Sequence, residues 1–305
     1  MLRFISAAAV VSLPPVRVRR ARPAAWVSGL AAVLSLLLPV AVYADAAPQR
    51  VISTDAAITE IVIALGAADR LVGVDDTSEL SADQEGLPRL GYHRALSGEG
   101  LLSLRPDQLL VSEHAGPPQA LAPLQAAAVP VLRLPGAYDV AQLKSNIRLI
   151  AAALALPQAG EQLLEDIDNR VERIHRYAPP VAPRAVLLRE SNGQLRVAGR
   201  DSAGNALLAL LGAENAVDYS GYRSFTAEGL LALNPELLVI ADEALPAAEQ
   251  WLNRFPLLRY SRAAEAQTVI SVHSRALVGG LSLTALSEAQ RLLALMTQAQ
   301  QAAAP

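Results

Sequence analysis

The chain of 305 residues contains no cysteine. This absence excludes a disulfide framework, a thiolate metal site, a cysteine-ligated iron–sulfur cluster and a lipid anchor attached through cysteine. Aromatic residues are also scarce, at 4% of the chain. Histidine is rare and dispersed, as His93, His114, His175 and His273. A zinc or manganese site needs several histidines and carboxylates that converge, and this spacing does not predict one.

Enzyme signatures are absent as well. The segment "ISTDAAITE", which follows the first expected strand, has neither the G-x-G-x-x-G pattern nor the Walker pattern. No G-x-S-x-G elbow and no H-E-x-x-H helix occurs in the sequence. Dinucleotide binding, phosphate cradling and these two kinds of hydrolysis are therefore not indicated. We expect a binding protein and not an enzyme.

The first 44 residues have the three parts of a secretory signal. Arginines at four positions between 17 and 22 precede an apolar run from Ala24 to Val42, and small or neutral residues lead to Ala44. This order predicts a signal peptide over residues 1–44, cleaved before Asp45. The alternative is an uncleaved anchor helix, since the run is nearly long enough to span a bilayer. Pro39 near its end favours cleavage.

Cleavage changes the charge balance. The segment 1–44 carries five arginines and no acidic residue, so 26 − 5 = 21 basic residues remain against 29 acidic ones, a net charge of −8. This charge disfavours nucleic acid and anionic membrane as partners. The remaining residues, about 260, suffice for two lobes with cores of their own. We expect a soluble exported protein.

From Arg50 onward, short apolar runs alternate with helical patterns. "RVIS", "RLVGVD", "DQLLVS" and "VPVLRL" are typical of strands, and the same alternation resumes at "RAVLLRE" and continues to the end. The pattern predicts an α/β protein with two Rossmann-like lobes and mainly parallel sheets. A long helical region from Val140 to Tyr177, broken near Pro157, joins them. The expected divisions are residues 45–154, a linking helix at 155–180, and residues 181–305, with a ligand cleft between the lobes.

An internal repeat supports two related lobes. "EGLLSLRPDQLLV" begins at Glu99 and "EGLLALNPELLVI" begins at Glu228, 228 − 99 = 129 residues later. Ligands of α/β folds bind beyond the carboxyl ends of the strands. The loops expected there include "GYHRALS" at 91–97, "EHAGPP" at 113–118, "DYSGYRSF" at 218–225 and "VHSRALVGG" at 272–280. By position, Tyr92 and Arg94 then line the cleft, although on these grounds alone an ordinary rim residue is the favoured interpretation of Tyr92.

A family resemblance narrows the ligand. "RVISTDAAITEIVIALGAADRLVGVD" resembles the opening of the helical-backbone (class III) periplasmic binding proteins that serve ABC importers of haem, siderophores and cobalamin. "LPRLGYHRALSGEGLLSLRPDQLLVSEHAGPP" is similar to the haem-binding branch of that family. The resemblance covers essentially all of the chain after residue 44. It implies capture of haem b and its delivery to the dimeric permease of an ABC transporter in the inner membrane, by a monomer.

The resemblance also assigns residues. The tyrosine of the Gly-Tyr-x-Arg segment is the iron ligand in that branch, which maps onto Tyr92, and the arginine maps onto Arg94. A phenolate suits ferric iron, and a guanidinium beside it stabilises the charged form. If the segment is extended, the two side chains share one side and His93 points away. Carboxylates of haem need arginine, so we expect Arg223, with Tyr222 beside it, and Arg275 to contact the propionates unless they are solvated.

Two further expectations follow from the family. Some relatives hold two stacked haems through a second-lobe histidine, but "LLRESNGQ" has none at the comparable strand, which favours one haem. Glutamates at the positions of Glu99 and Glu228 meet arginines of the two permease subunits, one per lobe. Helix-dipole compensation explains the same two glutamates without any partner, and both explanations can hold together.

The alternative function is capture of a ferric siderophore or cobalamin by the same fold. An aromatic clamp for cobalamin is weakly supported, because Trp251 is the only tryptophan after residue 44 and is expected in a helix. A metal-dependent hydrolase or a nitrogenase-like relative represents a different class, and the latter would need cysteines.

Overall fold

A computed structural model describes residues 47–244 and 248–303. The expected signal segment, residues 1–44, lies outside the described residues. Within the described part, no helix combines the length and the apolar character that crossing a bilayer requires.

The first lobe is built on a four-stranded sheet in the order β2-β1-β3-β4, in which all pairs are parallel. Every residue of β1 and of β3 is buried, as expected for strands that are covered on both faces. The predicted alternation of strands and helices is confirmed here. The elements are β1 (Val51–Thr54), α1 (Ala56–Ala64), β2 (Leu71–Val74), α2 (Gly98–Ser103), β3 (Gln108–Ser112), α3 (Pro118–Ala126) and β4 (Val131–Leu134).

Two consecutive helices connect the lobes, α4 (Val140–Ala153) and α5 (Pro157–Tyr177). Ala155 between them has a positive φ of 55°, and Pro157 occupies the first turn of α5, where its missing N–H costs nothing. The buried side chains of α5 include Leu164, Ile167 and Ile174, which recur at helical spacing. The expected long helix between the lobes is thus confirmed, with its break just before Pro157.

The second lobe contains a mixed sheet in the order β10-β9-β5-β6-β8, with β7 beside β5. Strands β10, β9 and β5 are parallel, whereas β6 and β8 are added in antiparallel pairs. The elements are β5 (Arg184–Ser191), β6 (Gln194–Ala198), α6 (Ala203–Leu210), β7 (Glu214–Asn215), β8 (Tyr222–Phe225), α7 (Ala227–Ala232), β9 (Leu237–Asp242), α8 (Ala248–Arg254), α9 (Arg262–Glu265), β10 (Val269–His273) and α10 (Leu283–Ala303).

The antiparallel part of this sheet was not predicted. Asn192 and Gly193 join β5 to β6 with φ values of 52° and 76°, which is the backbone of a two-residue hairpin turn. The Asn-Gly pair was therefore a readable hairpin signal. The expectation of a loop at 218–225 is wrong for residues 222–225, because β8 pairs with β6 there.

The sequence repeat is a structural repeat. Each copy forms a short helix followed by a buried strand, α2 with β3 and α7 with β9. After each helix comes a residue with a positive φ, Arg105 at 46° and Asn234 at 47°. An arginine of the neighbouring strand region donates from Nε to the end of each helix, Arg50 to the Arg105 carbonyl (2.9 Å) and Arg184 to the Leu233 carbonyl (3.0 Å). The two lobes are therefore built on one local plan.

The largest hydrophobic cluster is common to both lobes. It contains buried residues of β1 and α1 from the first lobe, of α4 and α5, and of α6, β9 and α10 from the second. Separate clusters fill the far side of each sheet, one around Leu101 and Leu109 and the other around Trp251 and Leu258. The expectation of two independent cores is therefore corrected, because α4, α5 and α10 bury one core between the sheets.

The lobes meet closely at a glycine pair. Gly279 and Gly280 have φ values of 81° and 119°, and Gly280 forms a parallel bridge with Ala137. A Cβ on Gly279 would lie 1.9 Å from Oδ1 of Asp55. A backbone of this conformation and at this distance from a carboxylate requires glycine.

We expect Gly279→Ala to lower the free energy of unfolding by about 3 kcal/mol or more, because left-handed strain adds to a steric clash with Asp55. Gly66→Ala is the matched control: Gly66 has a φ of 76°, but no atom lies within 4 Å of the position that an added methyl group would take, so this change should cost only about 1 kcal/mol. Denaturant unfolding measures both. Equal losses in the two variants would contradict a tight junction at Gly279.

Candidate ligand-binding site

The loop 91–97 crosses the carboxyl edge of the first sheet. Its start is fixed near β2, where the Asp76 N–H donates to the Gly91 carbonyl (3.1 Å). Its middle is fixed after β3, where the Gly116 N–H donates to the His93 carbonyl (2.9 Å) and the Leu96 N–H donates to the Gly116 carbonyl (2.8 Å). The backbone that carries Tyr92 is therefore anchored to the loops after two strands.

Tyr92 extends outward from this loop, with 49% of its surface exposed. The Ala95 N–H donates to the Tyr92 carbonyl at 2.8 Å, so residues 92–95 form a turn. The expected extended segment is therefore wrong, and Tyr92 and Arg94 do not alternate as on a strand. Within the described residues, Arg94 makes neither a hydrogen bond nor an ion pair with Tyr92. Its charge acts instead on Tyr138.

His93 points into the protein. It is 4% exposed, and its Nδ1 lies 3.2 Å from Oδ2 of Asp75, which is fully buried. Thr77 and Ser78 donate their hydroxyls to the same carboxylate at 2.6 and 2.7 Å. Burial alone would raise the pKa of Asp75, but the hydrogen bonds from His93, Thr77 and Ser78 outweigh it and lower that pKa. The loop is therefore supported by an ionised carboxylate, that of Asp75, both of whose oxygens have hydrogen-bond partners.

A second group of polar side chains follows β3 and β4. Oε1 of Glu113 accepts from the Tyr138 hydroxyl (3.1 Å) and from the Gly136 N–H (2.9 Å), and Nε2 of His114 lies 3.4 Å from the same hydroxyl. Burial, followed by the charge and hydrogen bond of Glu113, raises the pKa of Tyr138 to about 12, while Arg94 opposes the rise. Tyr138 therefore remains a neutral phenol. Asp201 of the second lobe also raises this pKa, so the group faces the other lobe.

The residues expected to bind propionates are not equivalent. Arg223 is exposed on β8, with its guanidinium carbon 4.5 Å from the centre of the Tyr219 ring. Tyr222, the adjacent residue, points to the opposite face of the strand, as the period of two requires. Its ring packs on the core, and a Cβ on Gly204 would lie 3.0 Å from its hydroxyl. Tyr222 is therefore a packing residue of the second lobe, which corrects its expected place beside the ligand.

Arg275 lies at a different part of the lobe boundary. Its Nη1 is 3.7 Å from Oε1 of Glu79 in the first lobe. Both line a polar cavity of about 470 Å³, and Tyr92 is not among its lining residues; the others are Asp76, Ser78, Leu80, Glu85 and Arg89. Tyr92 and Arg94 thus lie on one loop, whereas Arg275 is paired with Glu79.

Glu99 and Glu228 occupy matching positions. Each is exposed and is the second residue of its short helix, after an N-cap hydroxyl from Ser97 or Thr226. The Glu228 backbone N–H and the Thr226 hydroxyl lower the pKa of the Glu228 carboxyl. Placement of an acid in the first turn agrees with helix-dipole compensation, and the exposure of both leaves them free to contact a partner.

A family model described as "Periplasmic binding protein" matches residues 51–276. The chain therefore belongs to the periplasmic binding protein family, and the resemblance noted in the sequence is confirmed.

The chain is also similar to particular relatives. The structure is similar to the periplasmic haem-binding protein HutB of Vibrio cholerae, with a TM-score of 0.75 and 31% identity over 81% of this chain and 98% of that one. The vitamin B12-binding protein of Pectobacterium atrosepticum is 24% identical over 70% of this chain and 76% of its own length. The uncharacterized ABC transporter substrate-binding lipoprotein YvrC of Bacillus subtilis is 25% identical over 64% of each chain, just under two thirds of that lipoprotein.

Asp55, a buried acid that follows β1, has a pKa in a pH range where unfolding can be measured. Asp55, 1% exposed, caps α1 by accepting from the Ala57 N–H (3.0 Å). Burial, and then the negative charge of Asp75, raises the pKa of Asp55 from 3.8 to about 6, against the opposing charge of His93.

Because the folded-state pKa of Asp55 exceeds its unfolded value, its contribution to stability is complete below pH 3.8 and is lost as pH rises through about 6. Between pH 4 and pH 7, the free energy of unfolding of the parent should fall by about 2–3 kcal/mol through this group. Asp55→Asn, which retains a capping oxygen, should not show that fall. Urea unfolding across this range measures it. Asp83→Asn, on an exposed turn, is the control and should follow the parent. If the free energy of unfolding of Asp55→Asn has the same pH dependence as that of the parent, the assignment is contradicted.

Proposed function

We propose that this protein captures haem in the cleft between its lobes through Tyr92 and delivers it to an ABC importer. The observation that carries the proposal is an exposed phenol on a loop fixed to the carboxyl edge of a parallel sheet. Ligands of α/β proteins bind at such edges, and phenolate is one of the axial ligands that proteins supply to haem iron. The similarity to a haem-binding protein at 31% identity supports the choice of ligand.

The charges around Tyr92 agree with this ligand. Arg94 makes no ion pair with an acid in the described part of the chain, so a cation near Tyr92 is left for the phenolate or for a propionate. The Arg223 guanidinium is exposed on β8 and, if β8 faces the cleft as expected, is our candidate for a propionate. Arg275 serves this role less well, because Glu79 already faces it. Tyr92 as the iron ligand, one haem per protein and a monomeric carrier without enzymatic activity complete the proposal.

Delivery requires recognition by the transporter. Glu99 and Glu228 are exposed at equivalent places in the repeat, one in each lobe. A pair of equivalent acids suits a permease dimer, which offers two equivalent surfaces. We assign them as the docking contacts in the periplasm.

The ligand assignment is tested by Tyr92→Phe, which keeps the ring and removes the phenol oxygen. Haemin titration of the unchanged protein should give the charge-transfer band of a high-spin ferric tyrosinate complex. The variant should lose this band and bind haemin at least about tenfold more weakly, because the axial bond is gone. Tyr177→Phe, an exposed tyrosine at the end of α5, should behave as the parent.

An unchanged spectrum in Tyr92→Phe would exclude Tyr92 as the ligand. Titration with cyanocobalamin and with a ferric siderophore should give no saturable binding. Tight binding of either in place of haemin would establish the alternative function, for which the similarity to a vitamin B12-binding protein is the supporting observation.

The docking assignment is tested by the double variant Glu99→Arg, Glu228→Arg. Because neither residue lies on the Tyr92 loop, haemin affinity and spectrum should be retained. Stimulation of ATP hydrolysis by the reconstituted transporter should be abolished, since each lobe would present the wrong charge, and each single variant should lose part of it. Glu161→Arg with Glu249→Arg, two exposed helical glutamates, is the control. Normal haem delivery by the Glu99/Glu228 variant would remove the docking assignment, and loss of folding would favour the helix-dipole explanation.

A further inference from the structure

His93 has no part in the proposed ligation, yet it lies directly beneath Tyr92. The centroids of the two rings are 4.3 Å apart, and their planes are inclined by 46°. His93 is 4% exposed while Tyr92 is 49% exposed. One ring is therefore part of the protein interior, and the other rests on it and faces solvent.

The imidazole is fixed by its side-chain partner. Asp75 is fully buried, and its carboxylate can only accept, so Nδ1 of His93 is the donor in the 3.2 Å contact. Thr77 and Ser78 donate to the same carboxylate. Arg89 donates to the backbone carbonyls of Asp75 (3.0 Å) and Ser78 (2.7 Å). The acid that holds the imidazole is itself held at both its side chain and its backbone.

The backbone of His93 is fixed as well, because its carbonyl accepts from the Gly116 N–H at 2.9 Å. Gly116 follows β3 and Asp75 follows β2, so the residue is attached to the loops after two different strands. A ring held in this way offers Tyr92 a surface of defined orientation.

We propose that His93, held by Asp75, is a positioning residue that orients the Tyr92 ring for ligation of the haem iron. The inference rests on the proposed function in one respect, the role of Tyr92 as the ligand. Its physical basis is preorganisation: a ring that is already ordered loses less conformational freedom when the iron–oxygen bond forms. His93 is thereby distinguished from a ligand, because its imidazole is buried and engaged by Asp75.

The first test needs no haem. In the NMR spectrum of the apoprotein, the Tyr92 ring signals, assigned with Tyr92→Phe, should show a ring-current shift and restricted motion. His93→Ala should move these signals toward those of a free tyrosine, and His93→Phe should restore part of the shift because it restores a ring. His175→Ala, an exposed histidine of α5, is the control. Tyr92 signals that are the same in His93→Ala as in the parent would overturn the proposal.

The second test measures haem. His93→Ala should keep a tyrosinate spectrum with a broadened charge-transfer band, and haem should transfer to apomyoglobin about three- to tenfold faster, the factor that an aromatic contact supports. His93→Phe should reverse most of that change. An identical transfer rate and band in His93→Ala would also overturn the proposal.

The two failures are distinguishable. If the parent protein shows no tyrosinate-ligated haem, the proposed function fails, and the apoprotein signals still show whether His93 orders Tyr92. If His93→Ala does not fold, His93→Phe and Asp75→Asn decide. Asp75→Asn leaves one accepting oxygen where the carboxylate has two, so the hold on His93 is weakened, and both variants should show only partial order of the Tyr92 ring. Equal behaviour of these two variants and the parent would refute a positioning role.

Discussion

The contact between Asp55 and Gly279 is the constraint on which the arrangement of the two lobes depends. No side chain fits at Gly279, because its Cβ would lie 1.9 Å from the carboxylate, so the lobes approach to backbone distance there. Next to it, the Ala137 carbonyl accepts from the Leu281 N–H, and Glu60 of α1 accepts from the Thr284 N–H (2.9 Å) at the start of α10. Burial at this contact raises the pKa of the Asp55 carboxyl to about 6. The contact also holds the two lobes together at this point.

The candidate site is linked to this lobe contact through two buried acids. Asp55 and Asp75 follow the adjacent strands β1 and β2, and the charge of Asp75 acts on the pKa of Asp55. Asp75 supports His93, and His93 supports the exposed Tyr92. The path from the lobe contact to the candidate ligand thus combines the charge interaction of two buried acids with the two side-chain contacts of His93.

Much of the fold could be predicted from the sequence, because the signals were local. Strand and helix patterns, the break before Pro157 and the 129-residue repeat needed no knowledge of distant contacts. The antiparallel strand β8 was missed because its middle residues, Arg223 and Ser224, are exposed and polar. Its pairing with β6 also depends on residues 24 (222 − 198) to 30 (225 − 195) positions away.

The candidate site was predicted less completely than the fold. Tyr92 and Arg94 were chosen as candidates by resemblance. Their expected relative orientation was wrong, because the turn closed by Ala95 depends on backbone geometry that the sequence pattern does not show. The burial of His93 depends on Asp75, 18 residues earlier. The group around Tyr138 was missed because Glu113 and Tyr138 meet only when β3 and β4 lie side by side.

The common hydrophobic cluster has a consequence for how the chain folds. Residues of β1, α5 and α10 are buried in the same cluster, so each lobe alone would expose the apolar faces of helices that belong to both. We therefore expect neither half to fold alone, although the repeat gives each the same local plan. The two lobes should unfold in one cooperative transition, because α10 completes a core to which β1 also contributes.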